Sequence, residues 1–336
     1  MGGCPVSLEV LVSAPYFIPV LGRFRAIFDA CNVRLRIASV KERLSEEELM
    51  AYAGQIDGAI CGDDGFTARV LRAAAPRLRV ISKWGTGIDS IDREEAARLG
   101  IAVFNTPGAF TQAVADSVLG GVLAFARRIP WADRDMKAGD WSKPSARALH
   151  ECTLGVVGVG TIGKAVLRRA VPFGMRLLGN DIVTLDPGFV AEVGLEVVSL
   201  ERLLEESDFV SLNCDLNPTS RGLINGQALK RMKPTAVLIN TSRGPVVEEV
   251  ALAAALQAGR IAGAALDVFV EEPLPPSSPL RAMENVLLSP HNSNSSPEAW
   301  ERVHRHTVEN LLRGLGVDWP SPGTSVGAEG SAAPGS

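Results

Sequence analysis

A chain of 336 residues, 46% hydrophobic and 21% charged, is long enough for about two ordinary cores and has the balance of a water-soluble globular protein. No stretch approaches the roughly 18 uninterrupted apolar residues of a membrane span, and a formal net charge of -4 with both signs interleaved excludes the basic stripe of a nucleic-acid binder. The five cysteines, Cys4, Cys31, Cys61, Cys152 and Cys214, are odd in number, widely spaced and form no CxxC pair, which argues against a disulfide framework or a metal site and for a reducing cytoplasm.

The start, Met1-Gly2-Gly3-Cys4-Pro5-Val6, has neither the basic and apolar regions of an export signal nor a Ser or Thr for myristoylation, so no targeting is expected. From Leu8 short apolar runs alternate with helical patterns. Strands are predicted at Leu8 to Val12, Arg34 to Ile37, Gly58 to Cys61, Leu78 to Ser82 and Ala102 to Phe104. Helices fall between them near Val20 to Cys31, Ser45 to Ala53, Thr67 to Ala75 and Arg93 to Leu99, which makes a complete small α/β unit with a parallel sheet.

After Thr106-Pro107-Gly108 a long apolar-rich helix is expected from Thr111 to Arg128, followed by a polar connector containing Trp141. A second α/β unit then opens at Thr153 to Val157 and continues through strands at Arg176 to Leu178, Phe209 to Leu212, Ala236 to Asn240, Gly263 to Leu266 and Val286 to Leu288. A last helix is predicted near Pro297 to Leu312, and Trp319 to Ser336 has the Gly, Ser, Pro and Ala content of a disordered tail.

Gly158-Val159-Gly160-Thr161-Ile162-Gly163 follows the first strand of this second unit and opens a helix. Gly158 permits a tight turn, Gly160 lets a pyrophosphate approach the backbone, and Gly163 lets helix and strand pack closely, while the helix N-terminus attracts the anion. Asp181 ends the next strand, where a carboxylate bonds ribose hydroxyls and repels a 2'-phosphate. Ile182-Val183-Thr184 supply no cation, so NAD is expected over NADP.

Three polar segments follow three strands: Asn240-Thr241-Ser242-Arg243-Gly244, Asp267 to Pro273, and Ser289-Pro290-His291-Asn292. All would lie at the strand carboxyl ends, where ligands bind in open parallel sheets. Oxidising an alcohol by hydride loss needs a base for the hydroxyl proton, and histidine serves in both directions. Of His150, His291, His304 and His306, His150 sits in a connector and the last two are assigned to a solvated helix face, which leaves His291. Glu272 is the carboxylate chosen to fix its tautomer and favour the imidazolium, and Arg243 the guanidinium for a substrate carboxylate.

Together with Gly85-Thr86-Gly87-Ile88-Asp89, Asn105-Thr106-Pro107-Gly108 and Ala265-Leu266-Asp267-Val268-Phe269, these motifs resemble the D-isomer-specific 2-hydroxyacid dehydrogenase family over roughly Gly58 to Gly314. Phosphoglycerate, glycerate, formate and D-lactate dehydrogenases belong to that family. The resemblance implies Arg243 as carboxylate and carbonyl binder, Glu272 as partner of the histidine and His291 as acid/base. It implies cofactor contacts at Thr161, Ile162, Asp181, Cys214, Ser242 and Asp267, and a substrate loop Trp84-Gly85-Thr86-Gly87 whose N–H groups receive the carboxylate.

It further implies a Rossmann-type NAD-binding domain, residues 108–291, inserted into a flavodoxin-like substrate domain, residues 1–107 and 292–318. The substrate would lie between them, and two copies would pair through the helix near 111–128.

Lys83 stands where phosphoglycerate dehydrogenases carry a cation near the substrate phosphate, which favours a phosphorylated or phosphonylated acid, whereas Asp63 and Asp64 stand where those enzymes place a basic residue. No regulatory domain of the long-form enzymes is expected. Asn292-Ser293-Asn294-Ser295 departs from the family's small apolar and glycine run. Two other readings keep the same fold: an NAD(H)-sensing corepressor that binds partners without turnover, and a dehydrogenase of a non-carboxylate anion such as phosphite.

Overall fold

The structure, a computed structural model, describes residues 7–320; the expectations for the first six residues and for most of the tail lie outside that range. The chain divides into two compact units, one formed by the residues up to Pro107 together with those from Glu301 onward, the other by Gly108–Trp300.

The first unit has five strands: β1 (Leu8–Val12), β2 (Val33–Ile37), β3 (Gly58–Cys61), β4 (Val80–Lys83) and β5 (Ala102–Phe104). They pair in parallel in the order β2-β1-β3-β4-β5, the flavodoxin-like order with its switch between β1 and β3. β3 and β4 are buried along their whole length, so neither alternates; β3 reads as a run of small and apolar residues, whereas β4 ends in the buried polar pair Ser82 and Lys83. The crossovers are α1 (Arg25–Ala30), α2 (Glu46–Met50), α3 (Ala68–Ala74) and α4 (Arg93–Arg98). The Ser45 and Glu48 side chains form a reciprocal capping box at the start of α2, and Thr67 and Asp92 cap α3 and α4. The helix expected near Val20 to Cys31 is divided: Ile18–Phe24, with Pro19 in its first turn, is a 3-10 helix, and only then does α1 begin.

The second unit has seven strands: β6 (Thr153–Val157), β7 (Arg176–Asn180), β8 (Glu196–Val197), β9 (Phe209–Leu212), β10 (Val237–Asn240), β11 (Gly263–Leu266) and β12 (Val286–Leu288). All pair in parallel in the order β12-β11-β10-β9-β6-β7-β8, so this sheet reverses direction between β6 and β9. Its helices are α5 (Thr111–Arg127), α6 (Ile129–Lys137), α7 (Thr161–Ala170), α8 (Pro187–Val193), α9 (Leu200–Glu206), α10 (Gly226–Arg231) and α11 (Glu249–Gln257). α5 buries Val114, Ala115, Val118, Leu119, Val122 and Ala126 at helical spacing and packs on α7 and β10. It ends at Arg128, whose left-handed φ of 56° turns the chain into α6.

Two elements had no counterpart in the sequence reading. α6 has no buried residue and therefore no apolar stripe to read, and the two-residue β8 is too short for any periodicity.

The last helix, α12 (Pro297–Leu315), brings the chain back to the first sheet. Val303, His304, Thr307, Val308, Leu311, Leu312 and Leu315 form its buried stripe. The backbone approaches closely there: a Cβ on Gly314 would come within 2.2 Å of Val80, and the Ser82 hydroxyl donates to the Thr307 carbonyl at 2.8 Å. His304 therefore corrects the assignment of both helix histidines to a solvated face, since it lies four residues before Val308 in the apolar row; His306 is exposed.

The chain rejoins the first unit at Glu301, not at Asn292. Asn292 and Ser293 are kept with the second sheet because their N–H groups donate to the two carboxylate oxygens of Asp267 at 2.8 and 2.9 Å. The Ser117 hydroxyl also donates to the Ser293 carbonyl.

Candidate active site

At the carboxyl end of β6 the glycine run folds as its spacing requires. Gly158 has φ +87°, and a Cβ there would stand 2.6 Å from the Cys214 nitrogen. A Cβ on Gly163 would lie 2.1 Å from the Gly158 carbonyl oxygen, so the helix seats on the turn only because that side chain is absent. Gly160 is different: its Cβ would meet nothing within 4 Å. It opens α7 without any side-chain cap, so the first-turn N–H groups, those of Thr161 and Ile162 among them, face that open space. An anionic diphosphate fits there.

Asp181 directly follows β7, and its carboxylate accepts from the N–H groups of Val159, at 2.6 Å, and Val183, at 3.2 Å. The acidic group is thereby fixed beside the glycine turn, where ribose hydroxyls belong. Cys214 follows β9 across the switch, and burial pushes its thiol up to about 11, so it presents a neutral, apolar surface. These residues suit a dinucleotide.

The three later segments come from adjacent strands in register. Asn240, Leu266 and Leu288 stand side by side at the ends of β10, β11 and β12. Three residues beyond Asn240 is Arg243, and three beyond Leu288 is His291, so both issue from the same edge of the sheet. His291 Nδ1 and a Glu272 carboxylate oxygen are 3.0 Å apart, with both side chains partly buried. The other Glu272 oxygen accepts from the Phe269 N–H at 3.0 Å, which holds the carboxylate in place.

His291 itself has φ +50°, in the left-handed region, and its N–H donates to the Asp267 carbonyl at 2.8 Å. Asp267 is only 4% exposed, with both carboxylate oxygens committed to backbone. It was expected to touch cofactor; what the geometry displays is that it fastens the loop carrying His291.

Arg243 leaves a loop fixed by Asn240, whose amide group donates to the Arg243 carbonyl and accepts from the Ser242 N–H and hydroxyl. A Cβ on Gly244 would fall 2.0 Å from the Phe269 backbone, so the Arg243 and Glu272 segments lie in direct contact. The opposite edge of this sheet carries a cavity of about 360 Å³ lined by Phe125, Trp131, Arg147 and Thr235. It lies at the amino ends of β9 and β10, away from the candidate chemistry.

In the first unit, the loop after β4 has its carbonyls tied inward. Lys83 Nζ donates to the Trp84 carbonyl, Thr106 donates to that of Gly85 through both its N–H and its hydroxyl, and the Asn105 amide donates to that of Thr86. Gly85 has φ 123°. The N–H groups of Gly85, Thr86 and Gly87 meet no acceptor among the described residues, which leaves an anion-receptive backbone nest.

Lys83 departs from its expected availability. It is 4% exposed and ion-paired to Asp63 at 3.1 Å, so its charge is already answered within the protein. Asp64 is fully buried and accepts from the Ser13 hydroxyl and the Leu44 N–H. Burial, the dominant influence on it, raises its carboxyl above the usual range.

Residues 119–293 match the family model described as "D-isomer specific 2-hydroxyacid dehydrogenase, NAD binding domain". A glyoxylate reductase of Korarchaeum cryptofilum is 46% identical over 71% of this chain and 74% of its own length. A glyoxylate reductase/hydroxypyruvate reductase of Mus musculus is 34% identical over 92% and 95%. Among solved structures, D-lactate dehydrogenase of Aquifex aeolicus, complexed with NAD and lactic acid, is similar with a TM-score of 0.81 and 28% identity, covering 91% of this chain and 95% of that one. With a dinucleotide fold in the second unit and relatives of this kind along most of its length, the chain belongs to the D-isomer-specific 2-hydroxyacid dehydrogenase family and is an NAD-dependent oxidoreductase acting on CH–OH donors.

Proposed function

We propose that the protein reduces small 2-oxo acids, glyoxylate and hydroxypyruvate foremost, with His291 as proton donor. The observation that carries this is the His291–Glu272 pair at 3.0 Å on the strand edge that also bears Arg243, in the unit with the glycine turn. Bound nicotinamide supplies the hydride that the α carbon receives. Glu272 accepts a hydrogen bond from Nδ1–H of His291, so Nε2 is the nitrogen that gives its proton to the carbonyl oxygen and the ring is left neutral with its proton on Nδ1. In the oxidation direction the same nitrogen takes the hydroxyl proton.

Arg243 binds the carboxylate and polarises the adjacent carbonyl, and the N–H groups of Gly85, Thr86 and Gly87 receive the carboxylate as well. Thr161, Ile162, Asp181, Cys214 and Ser242 line the cofactor, and Asp267 acts on it through the loop it fastens.

A phosphorylated or phosphonylated acid, the expectation raised by Lys83, is not supported. The cation that would answer a second anion is buried against Asp63, and the two reductases described above are named for glyoxylate and hydroxypyruvate. Neither the corepressor nor the phosphite reading gains support from relatives that are named as reductases of carboxylate substrates. We further propose that two copies pair through α5 and the segment after it, where Ile129, Met136 and Trp141 are exposed.

The test is NADH oxidation, followed by its absorbance, against glyoxylate, hydroxypyruvate, pyruvate, phosphohydroxypyruvate and phosphonopyruvate. Higher kcat/KM on glyoxylate and hydroxypyruvate than on the other acids supports the reading. A preference for the phosphorylated or phosphonylated ones would restore Lys83 to the substrate and overturn it.

A further inference from the structure

His304 has no part in the chemistry just described, yet its ring is only 3% exposed, the most enclosed of the four histidines. Its Nδ1 accepts a hydrogen bond at 3.0 Å from the indole N–H of Trp84, itself 4% exposed. An indole nitrogen is a donor only, so Nδ1 must offer a lone pair and His304 must be neutral with its proton on Nε2. The pair is packed by other rings: Tyr16 lies 5.3 Å from Trp84 and Phe17 lies 5.9 Å from His304, centroid to centroid.

Trp84 is the root of the loop whose N–H groups meet no acceptor among the described residues. Gly85 and Gly87 have no side chain with which to hold that loop, and the one side-chain bond that its residues after Trp84 donate runs from the Thr86 hydroxyl to the Thr106 carbonyl, beside the bonds that Thr106 and Asn105 make to the loop's carbonyls. The indole is thus the large anchor of the segment, and His304 is its polar stop.

We propose that His304 is a positioning residue for the reaction: by accepting the Trp84 indole proton it sets the direction in which the N–H groups of Gly85, Thr86 and Gly87 are presented to the substrate carboxylate. This rests on the reading of that loop as the carboxylate receptor.

A protonated imidazole carries N–H on both nitrogens and would oppose one donor with another, so charging His304 breaks the anchor. The charged groups around the ring are Glu301, on α12, and Arg23, on the Ile18–Phe24 helix, which are paired with each other at 2.6 Å. The Tyr16 phenol ring packs on Trp84, and the Lys83–Asp63 pair flanks the loop. Burial outweighs the opposing Glu301 charge and, with Arg23 acting in the same direction, holds the imidazole below its ordinary value, which preserves the anchor near neutral pH.

The experiment is steady-state kinetics on glyoxylate with full-length variants across pH. His304→Leu should raise KM about tenfold, the order expected when one buried hydrogen bond is lost, with kcat and NADH affinity unchanged. In His304→Gln the amide oxygen can accept the same proton, so KM should stay near the parent value at neutral pH. The parent's rise in KM on acidification should shrink in that variant because no group titrates there. Trp84→Phe should raise KM as His304→Leu does, and the double variant should be no worse than either single one.

An unchanged KM in His304→Leu, additive effects in the double variant, or a Gln variant that keeps the parent's full acid limb would overturn the proposal. Should the Leu variant fail to fold, the Gln variant and its pH profile decide alone. Thr86→Pro, which removes one loop N–H together with the hydroxyl bond to Thr106 and changes neither His304 nor Trp84, tests the loop separately, with Thr86→Val as the control that removes the hydroxyl alone. An unchanged KM in Thr86→Pro refutes the carboxylate-receptor reading, whereas a raised KM there with inert His304 variants refutes only the role of His304.

Discussion

His291 is held by three independent ties: the Glu272 carboxylate on its ring, the Asp267 carbonyl on its N–H, and the Asp267 carboxylate on the two N–H groups that follow. Such redundancy is what keeps a non-glycine residue at φ +50°. Replacing His291 by Asn removes the proton donor and spares the backbone, because Asn tolerates the left-handed region. We expect kcat on glyoxylate to fall about 10²- to 10⁴-fold with NADH binding, read by fluorescence titration, unchanged. Retention of normal turnover would exclude His291 as the proton donor. At Asp181 the carboxylate repels a 2'-phosphate but also holds the Val159 N–H at 2.6 Å. Asp181→Ala should therefore weaken NADH binding and narrow the NADH-over-NADPH preference in kcat/KM, whereas an undiminished preference would place the discrimination elsewhere.

At the level of elements, the β6 turn and α7 seat against each other with no room for a methyl group. In Gly163→Ala the new Cβ would lie 2.1 Å from the Gly158 carbonyl oxygen. The turn must shift, at a cost of about 1–3 kcal/mol, and NADH affinity should fall together with the denaturation midpoint. Native affinity and stability in that variant would mean that the turn has slack the geometry does not display.

α12 carries a pH-dependent stability of a different origin. Burial depresses the folded-state value of His304 below that of the unfolded chain, about 6.5. Between those two values the unfolded state binds more protons, so the contribution of His304 is full above about pH 6.5 and is lost as pH falls through the folded value. Urea midpoints of the parent and His304→Gln should therefore converge as the solution is acidified, and parallel pH curves would contradict the assignment.

For the whole molecule, Ile129 and Met136 are exposed on α6, which has no buried residue of its own, and the exposed Trp141 follows it in the same stretch of sequence. An apolar run left uncovered in one copy is the mark of an interface. Light scattering should give the mass of two chains, and Ile129→Asp with Met136→Asp should give that of one, with the far-UV circular dichroism unchanged. A monomeric parent protein would remove the dimer from the description.

How much of this was legible in the sequence depends on the range of the interactions. The strands at Leu8 to Val12, Gly58 to Cys61, Thr153 to Val157 and Gly263 to Leu266 coincide with those observed, because a buried parallel strand is an apolar run bounded by turn residues, which is a local signal. The glycine turn was legible for the same reason: Gly158, Gly160 and Gly163 act within a few residues of one another. The His291–Glu272 pair was inferred from residue chemistry and from each segment's place after a strand, and it needs only adjacent strands to form.

What the sequence could not decide were partnerships between distant segments. Lys83 reads as a free cation until Asp63 closes on it from the loop after β3, and Asp267 reads as a cofactor ligand until its oxygens are found on the loop after β12. His304 reads as one of two helix histidines until the fold brings Trp84 to it. Local periodicity specifies which face a side chain occupies, but the group it meets there is set by how strands and helices pack, and that is a property of the tertiary structure alone.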